Sequence, residues 1–177
     1  MEDLGLKLLE SLTQAHSVPG YEDEVRKIFL DELDGYGEFG ADNNGSVYCV
    51  RNSTGPKVMV EGHMDEVGFR VQNILSNGYL KIVTVGGWWG HTLLSQRVEI
   101  RNKQGVKIIG TIASKPPHFL REAERNRVIA VSDMFVDIGA RSRDEVADWG
   151  IQLGDPIAPW SPWTPMRQKD WYMTKAF

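Results

Sequence analysis

The chain has 177 residues, and its 20 lysines and arginines stand against 24 aspartates and glutamates. This length can bury a substantial core, while the slight excess of negative charge gives no general attraction to nucleic acid or to anionic lipid. Cys49 has no second thiol to pair with, the first residues MEDLGLKLLE lack the positive charge of a signal peptide, and no window reaches the roughly 18 continuous apolar residues of a membrane span. We therefore expect a cytoplasmic, soluble protein with no nucleic-acid or membrane partner.

Two amphipathic helices are predicted near the start of the chain. Leucines recur at helical spacing within residues 4–12, and apolar residues repeat this pattern within residues 25–33. Pro19 and Gly20 interrupt the pattern, so they mark the turn between the two helices.

Short strands are predicted after the helices. An Asn-Gly turn at 44–45 leads into a predicted strand over residues 46–51, and a Gly-Pro turn at 55–56 leads into another over residues 57–62. Helices followed by short strands indicate an α/β layer.

The sequence pattern changes at about Val67. Apolar residues alternate with polar ones from Val67 to Val71, and further strand-like runs follow glycine-containing turns at residues 79–85, 97–101 and 106–112. Short strands at this spacing predict a small β-barrel or β-sandwich.

Two later features belong to the same β-rich region. Ser142 and Glu145 have the spacing of a capping box and Gly150 stands where a helix commonly ends, so one short helix is predicted between them. The segment GDPIAPWSPWTP that follows is rich in proline, which indicates an extended crossing rather than a strand.

These patterns predict an α/β fold with two domains. Residues 1–66 together with 166–177 would form a partial α/β domain, and residues 67–165 would form a β-rich, barrel-like inserted domain.

The stretch VMVEGHMDEVGF contains the candidate site. The predicted strand over residues 57–62 would place His63 beyond its carboxyl end, where ligands gather in α/β sheets. Imidazole is a good ligand for Zn or Co, and Asp65 is close enough in sequence to hydrogen-bond the second ring nitrogen of His63. From the spacing alone, a solvated polar turn with an ordinary histidine is the commoner explanation, because one histidine beside two acids is frequent by chance and a catalytic zinc needs about three protein ligands.

Other histidines and the tryptophans are weaker candidates. We expect surface or packing roles for His16, His91 and His118. The tryptophans could form a binding platform or pack in a core or interface, and packing is favoured; they include Trp88, Trp89, Trp160 and Trp163.

Nine stretches, taken together and in order, carry a family resemblance. They are SVPGYEDEVR, DNNGSV, VEGHMDEVGF, VGGW, LLSQRVEI, GTIASKPPH, VDIGARSRDEV, GIQLGDPI and KAF. Together they resemble the tetrahedral or glutamyl aminopeptidases, two-metal metallopeptidases of peptidase family forty-two. VEGHMDEVGF resembles the first metal-ligand motif of this family, and KAF resembles the approach to its bridging aspartate.

The resemblance implies a fold and an assembly. The fold is a zinc-peptidase-like α/β sandwich, incomplete in this chain, whose catalytic domain takes in residues 1–66 and 166–177. The β-rich insert over residues 67–165 would mediate homo-oligomerisation, into dimers and further into hollow dodecamers.

The resemblance also implies a chemistry. Two divalent metal ions, Zn or Co, would support removal of the N-terminal residue from a peptide substrate. His63 corresponds to a metal ligand, and Asp65 to the catalytic carboxylate that orients it, while no role is carried over for Glu66. Some members of the family carry an endoglucanase label, but nothing in this sequence resembles the carboxylate pair of a glycosidase.

The sequence stops short of the other ligands of the family. Its bridging aspartate, glutamate pair, further aspartate and last histidine would all follow Phe177. We therefore expect the 177-residue chain by itself to hold no stable two-metal centre and to be catalytically inactive. The alternatives are a fragment of a longer enzyme and a non-catalytic oligomerisation module built on the insert.

Overall fold

The two predicted helices form as expected in the computed structural model, which describes residues 2–52 and 54–175. Helix α1 spans Glu2–Gln14 and helix α2 spans Asp23–Glu32. Gly20 has a φ of +85°, a left-handed conformation that suits glycine and turns the chain between the helices. Val18 in this connection is fully buried, so the turn packs against the body of the protein.

A β-hairpin follows the helices. Strand β1 (Glu38–Ala41) pairs antiparallel with strand β2 (Val47–Val50), and β2 lies within the predicted strand. The Asp42 carboxylate accepts hydrogen bonds from the backbone N–H groups of Asn44 and Ser46, which closes the turn. The sequence analysis missed β1, because its residues EFGA contain a glycine and show no alternation of apolar and polar side chains.

The predicted strand over residues 57–62 is wrong. This segment is irregular, and Val58, Met59 and Val60 are between 82% and 92% exposed. An apolar run forms a buried parallel strand only where neighbouring strands pair with it, and within residues 2–52 and 54–175 no strand does so. The described residues thus show α-helices and β-strands, while the zinc-peptidase-like sandwich stays a prediction.

The β-rich region forms a closed barrel of six strands, which decides between the predicted barrel and sandwich. All neighbouring strands are antiparallel and follow the order β3-β4-β7-β6-β5-β8. The strands are β3 (Gly68–Ile74), β4 (Leu80–Val85), β5 (Arg97–Arg101), β6 (Lys107–Ala113), β7 (Phe135–Asp137) and β8 (Pro156–Pro159). The division into two domains stays a prediction.

Strand β8 corrects the prediction of an extended crossing at GDPIAPWSPWTP. Its two prolines stand at its first and last positions, where a missing N–H is tolerated best. Ile157 between them pairs with Phe69 of β3 and Ile100 of β5. β8 thereby joins the two ends of the sheet, and its burial on both sides outweighs the local preference of proline.

The barrel interior is the hydrophobic core of the protein. Its largest fully buried side chains include Phe69, Leu80, Ile100, Ile112 and Ile157. Strand β7, which the sequence analysis missed, is three residues long and contributes the fully buried Val136.

The predicted N-cap at Ser142 is confirmed, whereas the Glu145 carboxylate accepts its hydrogen bond from the Arg141 N–H rather than from the Ser142 N–H that a full capping box would use. Helix α4 spans Arg143–Asp148, and the Ser142 hydroxyl accepts a hydrogen bond of 3.2 Å from the Glu145 N–H. Gly150 has a φ of +76° directly after the helix, as the sequence predicts. The fully buried Val146 anchors α4 to the barrel core.

The remaining described elements are short. They comprise helix α3 (Glu122–Arg125), the antiparallel strands β9 (Thr164–Pro165) and β10 (Tyr172–Met173), and 3₁₀ turns at Gly90–Thr92, Pro117–Phe119 and Val131–Asp133. Across the part of the chain that the structure describes, we find no helix with the length and apolar character needed to cross a membrane. Strand β9 also falls within the segment predicted as an extended crossing.

Truncation of the barrel-closing side chain should be costly. We expect Ile157→Ala to lower the free energy of unfolding by about 2–5 kcal/mol, because it leaves a cavity at a fully buried position between two strands. Val83→Ala, at a position 45% exposed on β4, is the matched control and should cost about 0.5 kcal/mol or less. Urea unfolding of both variants measures the difference, and equal costs would contradict the assignment of β8 to the barrel.

Candidate metal site and its polar support

His63 and Asp65 are brought together in the irregular segment that leads into β3. His63 Nδ1 lies 3.1 Å from the Asp65 carboxylate oxygen Oδ1 and 2.8 Å from the Asp65 carbonyl oxygen. Both partners are hydrogen-bond acceptors, so Nδ1 carries the proton and Nε2 is the nitrogen whose lone pair can bind a metal. The His63 side chain is 80% exposed, and Nε2 is therefore accessible to a ligand.

The described residues fit one metal ligand rather than a complete metal centre. Within residues 2–52 and 54–175, no three His, Cys, Asp or Glu side chains lie close enough to hold a metal ion. The orientation of His63 by a carboxylate is the arrangement that metal-binding histidines commonly show. Of the stretch KAF, only Lys175 is described, since Ala176 and Phe177 lie outside the described residues.

Glu66 is anchored firmly next to this exposed pair. Its carboxylate oxygen Oε1 accepts a hydrogen bond of 2.6 Å from the Lys175 ammonium group and one of 3.4 Å from the Ser17 N–H. The Glu66 N–H donates to the Ser17 carbonyl oxygen at 2.9 Å, and the Lys175 ammonium also donates to the Ala15 carbonyl oxygen at 2.6 Å. Three separate stretches of the chain thus meet at one buried ion pair.

A second polar cluster joins the helices to the barrel. Arg101 of β5 makes a two-pronged ion pair with the Asp23 carboxylate, with distances of 2.6 Å and 2.7 Å. Lys107 of β6 donates to the Glu24 carboxylate at 2.8 Å and lies 3.3 Å from Glu99. Charge pairs therefore fix the start of α2 against two adjacent strands.

His16 links this cluster to the interior. Its side chain is fully buried, and its Nδ1 atom lies 3.3 Å from the Glu99 carboxylate. Its backbone N–H donates to the Glu24 carboxylate at 2.8 Å. The sequence analysis gave His16 a surface or packing role and missed this contact, because its partner Glu99 lies 83 residues away.

Burial and neighbouring charges shift the pKa values of these carboxyl groups. The hydrogen bond from Arg101 holds the pKa of Asp23 below its usual range. Burial opposes ionisation of Glu99, but the hydrogen bond from His16 and the charge of Lys107 outweigh it, and the pKa of Glu99 is lowered. Burial raises the pKa of Glu66, and the Lys175 ammonium group only partly offsets this effect.

The tryptophans are distributed among separate contacts. Trp88 stacks on Phe69 with ring centroids 4.6 Å apart and packs against the barrel core. Trp163 stacks on Tyr172, whereas the Arg97 guanidinium lies over the Trp160 ring. These contacts favour packing over a single binding platform.

The two remaining histidines lie outside both clusters. The exposed His91 lies in the 3₁₀ turn Gly90–Thr92 with its ring 4.6 Å from that of Trp89, and the exposed His118 lies in the turn Pro117–Phe119. Neither histidine contributes to the arrangement around His63 or His16.

Known aminopeptidase structures have the same fold as this chain. The crystal structure of a TET aminopeptidase from the marine sediment archaeon Thaumarchaeota archaeon SCGC AB-539-E09 matches 93% of this chain and 47% of that chain, with 41% sequence identity and a TM-score of 0.87. The Pyrococcus horikoshii TET1 peptidase, described as able to assemble into a tetrahedron or a large octahedral shell, matches 90% of this chain and 47% of that chain, with 25% identity and a TM-score of 0.79.

Sequence comparison identifies the family. A model of the M42 glutamyl aminopeptidase family matches residues 45–177. The putative aminopeptidase FrvX of Escherichia coli (strain K12) is 43% identical over 157 residues, which cover 88% of this chain and 44% of FrvX. The chain belongs to the M42 glutamyl aminopeptidase family, as its sequence motifs predict, and it spans about half the length of the relatives it matches.

The pKa shift of Glu99 leads to a pH-dependent prediction. Because the folded-state pKa lies below its ordinary value of 4.5, ionised Glu99 stabilises the fold above that pH, and this contribution is lost as the pH falls through the folded-state pKa. Wild type should therefore exceed Glu99→Gln in unfolding free energy near neutral pH, and the gap should shrink in acid.

Urea unfolding between about pH 7 and about pH 3 measures this gap. Glu10→Gln on the exposed side of α1 is the control, because it makes the same change in charge without removing a contact to the barrel. A gap for Glu99→Gln that stays constant across this pH range would contradict the prediction.

Proposed function

We propose that this chain supplies part of the active site and the assembly domain of a metal-dependent aminopeptidase that removes N-terminal residues from peptides. The observation that carries the proposal is the His63–Asp65 pair, with Nδ1 held by two acceptors and Nε2 left to bind a metal. Membership of the M42 glutamyl aminopeptidase family supports the reaction class.

Each residue of the pair has a defined role in this proposal. His63 binds one of two divalent ions, Zn or Co, through Nε2, because both ions accept imidazole ligands. Asp65 is assigned as the catalytic carboxylate: it accepts a hydrogen bond from the Nδ1–H of His63, fixes the tautomer of the ring and raises its basicity. When bound, such ions polarise a peptide carbonyl and activate water near neutral pH.

The 177-residue chain is proposed to be inactive alone. One described histidine does not complete a site that needs about three protein ligands per catalytic ion. Residues from elsewhere must supply the remaining ligands and the general base.

The barrel is proposed to mediate homo-oligomerisation, as a dimer or a larger shell such as a dodecamer. Support comes from the closed six-stranded barrel and from the fold shared with the TET1 peptidase, whose assemblies are a tetrahedron or an octahedral shell. A non-catalytic oligomerisation module is the second candidate function. It is favoured because the barrel is closed, whereas the described residues hold no cluster of three metal ligands.

Paramagnetic Co²⁺ offers a direct test of His63 as a ligand. Added to ¹⁵N-labelled protein, it should broaden the resonances of residues 62–66 before all others, because a cobalt ion at Nε2 lies close to these backbone atoms. His63→Ala should abolish this effect, whereas His118→Ala, at an exposed histidine in a turn, should not. Equal broadening around His118 and His63 would contradict a specific site.

A chimera with FrvX tests the reaction. This chain joined to the part of FrvX beyond the matched region should release N-terminal residues from peptides, and a chelator should stop the release. His63→Ala should lower kcat/KM by about 10–100-fold or more, as the loss of metal ligands or of the residues that orient them commonly does. A folded chimera that binds metal but hydrolyses no peptide would contradict the aminopeptidase proposal.

The isolated chain is the reference for this experiment. A sample with a verified mass of 20.0 kDa should carry less than one metal ion per chain and show no peptidase activity. Activity of this sample would contradict the claim that the chain alone is inactive.

A further inference from the structure

We propose that Glu66 and Lys175 are positioning residues for the His63–Asp65 pair. Their ion pair fastens the residue after Asp65 to the loop between α1 and α2 and thereby fixes where His63 presents Nε2. This inference rests on the proposed function, because it assigns a role in the same site.

The contacts of His63 do not by themselves place it in the protein. Its Nδ1 atom is held by the carbonyl and the carboxylate of Asp65, two residues along the same chain segment. These bonds fix the ring relative to Asp65, yet the His63 side chain is 80% exposed, that of Asp65 is 45% exposed, and the preceding residues 58–60 project into solvent. The position of the pair therefore depends on the next residue that contacts the body of the protein.

Glu66 is that residue. Its backbone N–H donates to the Ser17 carbonyl oxygen at 2.9 Å, and its carboxylate accepts from the Ser17 N–H at 3.4 Å. One of these two hydrogen bonds is made by the Glu66 backbone and the other by its side chain. Together they fix the position and the direction of the chain after Asp65. The Glu66 side chain is only 11% exposed.

Lys175 makes this attachment rigid. Its side chain is 4% exposed, and its ammonium group donates to the Glu66 carboxylate and to the Ala15 carbonyl oxygen, both at 2.6 Å. One ammonium group therefore holds the end of α1, the site segment and the segment after β10 together. Loss of either charged partner would leave the other buried without compensation, which is strongly unfavourable.

His16 is a further titratable group that acts on this pair. Glu66 accepts a hydrogen bond from Lys175, and the buried His16 also acts on Glu66 electrostatically. His16 adjoins Ser17 in sequence and contacts Glu99 of the barrel. The loop at residues 15–17 is therefore itself held by the barrel, and the attachment of Glu66 to it is not an attachment to a free loop.

A purely structural role and a positioning role predict different measurements. A structural ion pair would lower global stability when removed and leave the affinity of His63 for metal unchanged in the folded fraction. A positioning pair would also loosen Asp65 and His63 in the folded protein and weaken metal binding there. Residues that support metal ligands typically change metal affinity by about 10–100-fold when they are mutated.

The test uses four variants of the same chain. Glu66→Gln removes the charge but keeps an acceptor for the Ser17 N–H, and Lys175→Met removes the ammonium group at similar volume. Lys175→Arg is the conservative variant that retains the positive charge. Lys27→Met is the matched control, because Lys27 is exposed and pairs with Asp31 one helical turn away.

Two readouts are taken on the folded protein. In metal-free protein, ¹⁵N relaxation should show lower order parameters for the amides of His63 and Asp65 in Glu66→Gln and in Lys175→Met. In a Co²⁺ titration, the concentration that half-broadens the His63 resonance should rise by about 10-fold or more in these variants. Lys175→Arg should recover part of both effects, and Lys27→Met should match wild type.

Each outcome decides between the alternatives. Unchanged order parameters together with an unchanged Co²⁺ midpoint, in variants that unfold at lower urea, would overturn the positioning role. If Co²⁺ does not broaden His63 in wild type, the metal-ligand proposal fails, and the order parameters alone decide the positioning of the pair. If Lys175→Met does not fold, Glu66→Gln measured against wild type and Lys27→Met supplies the same comparison.

Discussion

Closure of the barrel by strand β8 is the constraint on which the rest of the structure depends. Ile157 pairs with Phe69 on one side and with Ile100 on the other, so a strand of only four residues joins the two ends of the sheet. Closure removes every exposed edge of the sheet and gives the apolar faces of all six strands one common interior. Since β3 and β8 are antiparallel neighbours, the start of β3 lies beside the end of β8, and the chain enters and leaves the barrel at the same end.

This shared end explains how the candidate site is supported. The segment that carries His63 precedes β3, and the segment that carries Lys175 follows β8, so barrel closure brings two stretches 109 residues apart into contact. The connection between α1 and α2 lies against both, because Ser17 contacts Glu66 and Ala15 contacts Lys175. The apolar closure of the barrel thus creates the polar junction, and the junction determines where the exposed His63–Asp65 pair can lie.

Ion pairs between α2 and the barrel reinforce this arrangement from the other side. Asp23 and Glu24, at the start of the helix, contact Arg101 and Lys107 on two adjacent strands. Acidic side chains in the first turn of a helix also complement its dipole, so the same residues stabilise α2 and orient it. Specific charge pairs therefore join helix α2, in the proposed catalytic portion, to the barrel that is proposed to mediate assembly.

The sequence by itself determined the features that depend on local pattern. Alternation of side chains located β3 and β4, helical spacing located α1 and α2, and the capping box at Ser142 located α4, because each is set by neighbours within a few residues. The motif around His63 also predicted the hydrogen bond to Asp65, which spans only two residues.

Tertiary structure alone decided the features that depend on distant partners. The apolar residues 58–60 do not form a strand, since no described strand pairs with them, whereas proline-rich β8 does, since β3 and β5 lie on either side of it. Nothing in the sequence indicated the partners of Glu66 and His16, because Lys175 and Glu99 lie 109 and 83 residues away from them along the chain. Local pattern reports what a segment prefers, and burial against partners far along the chain determines whether that preference is realised.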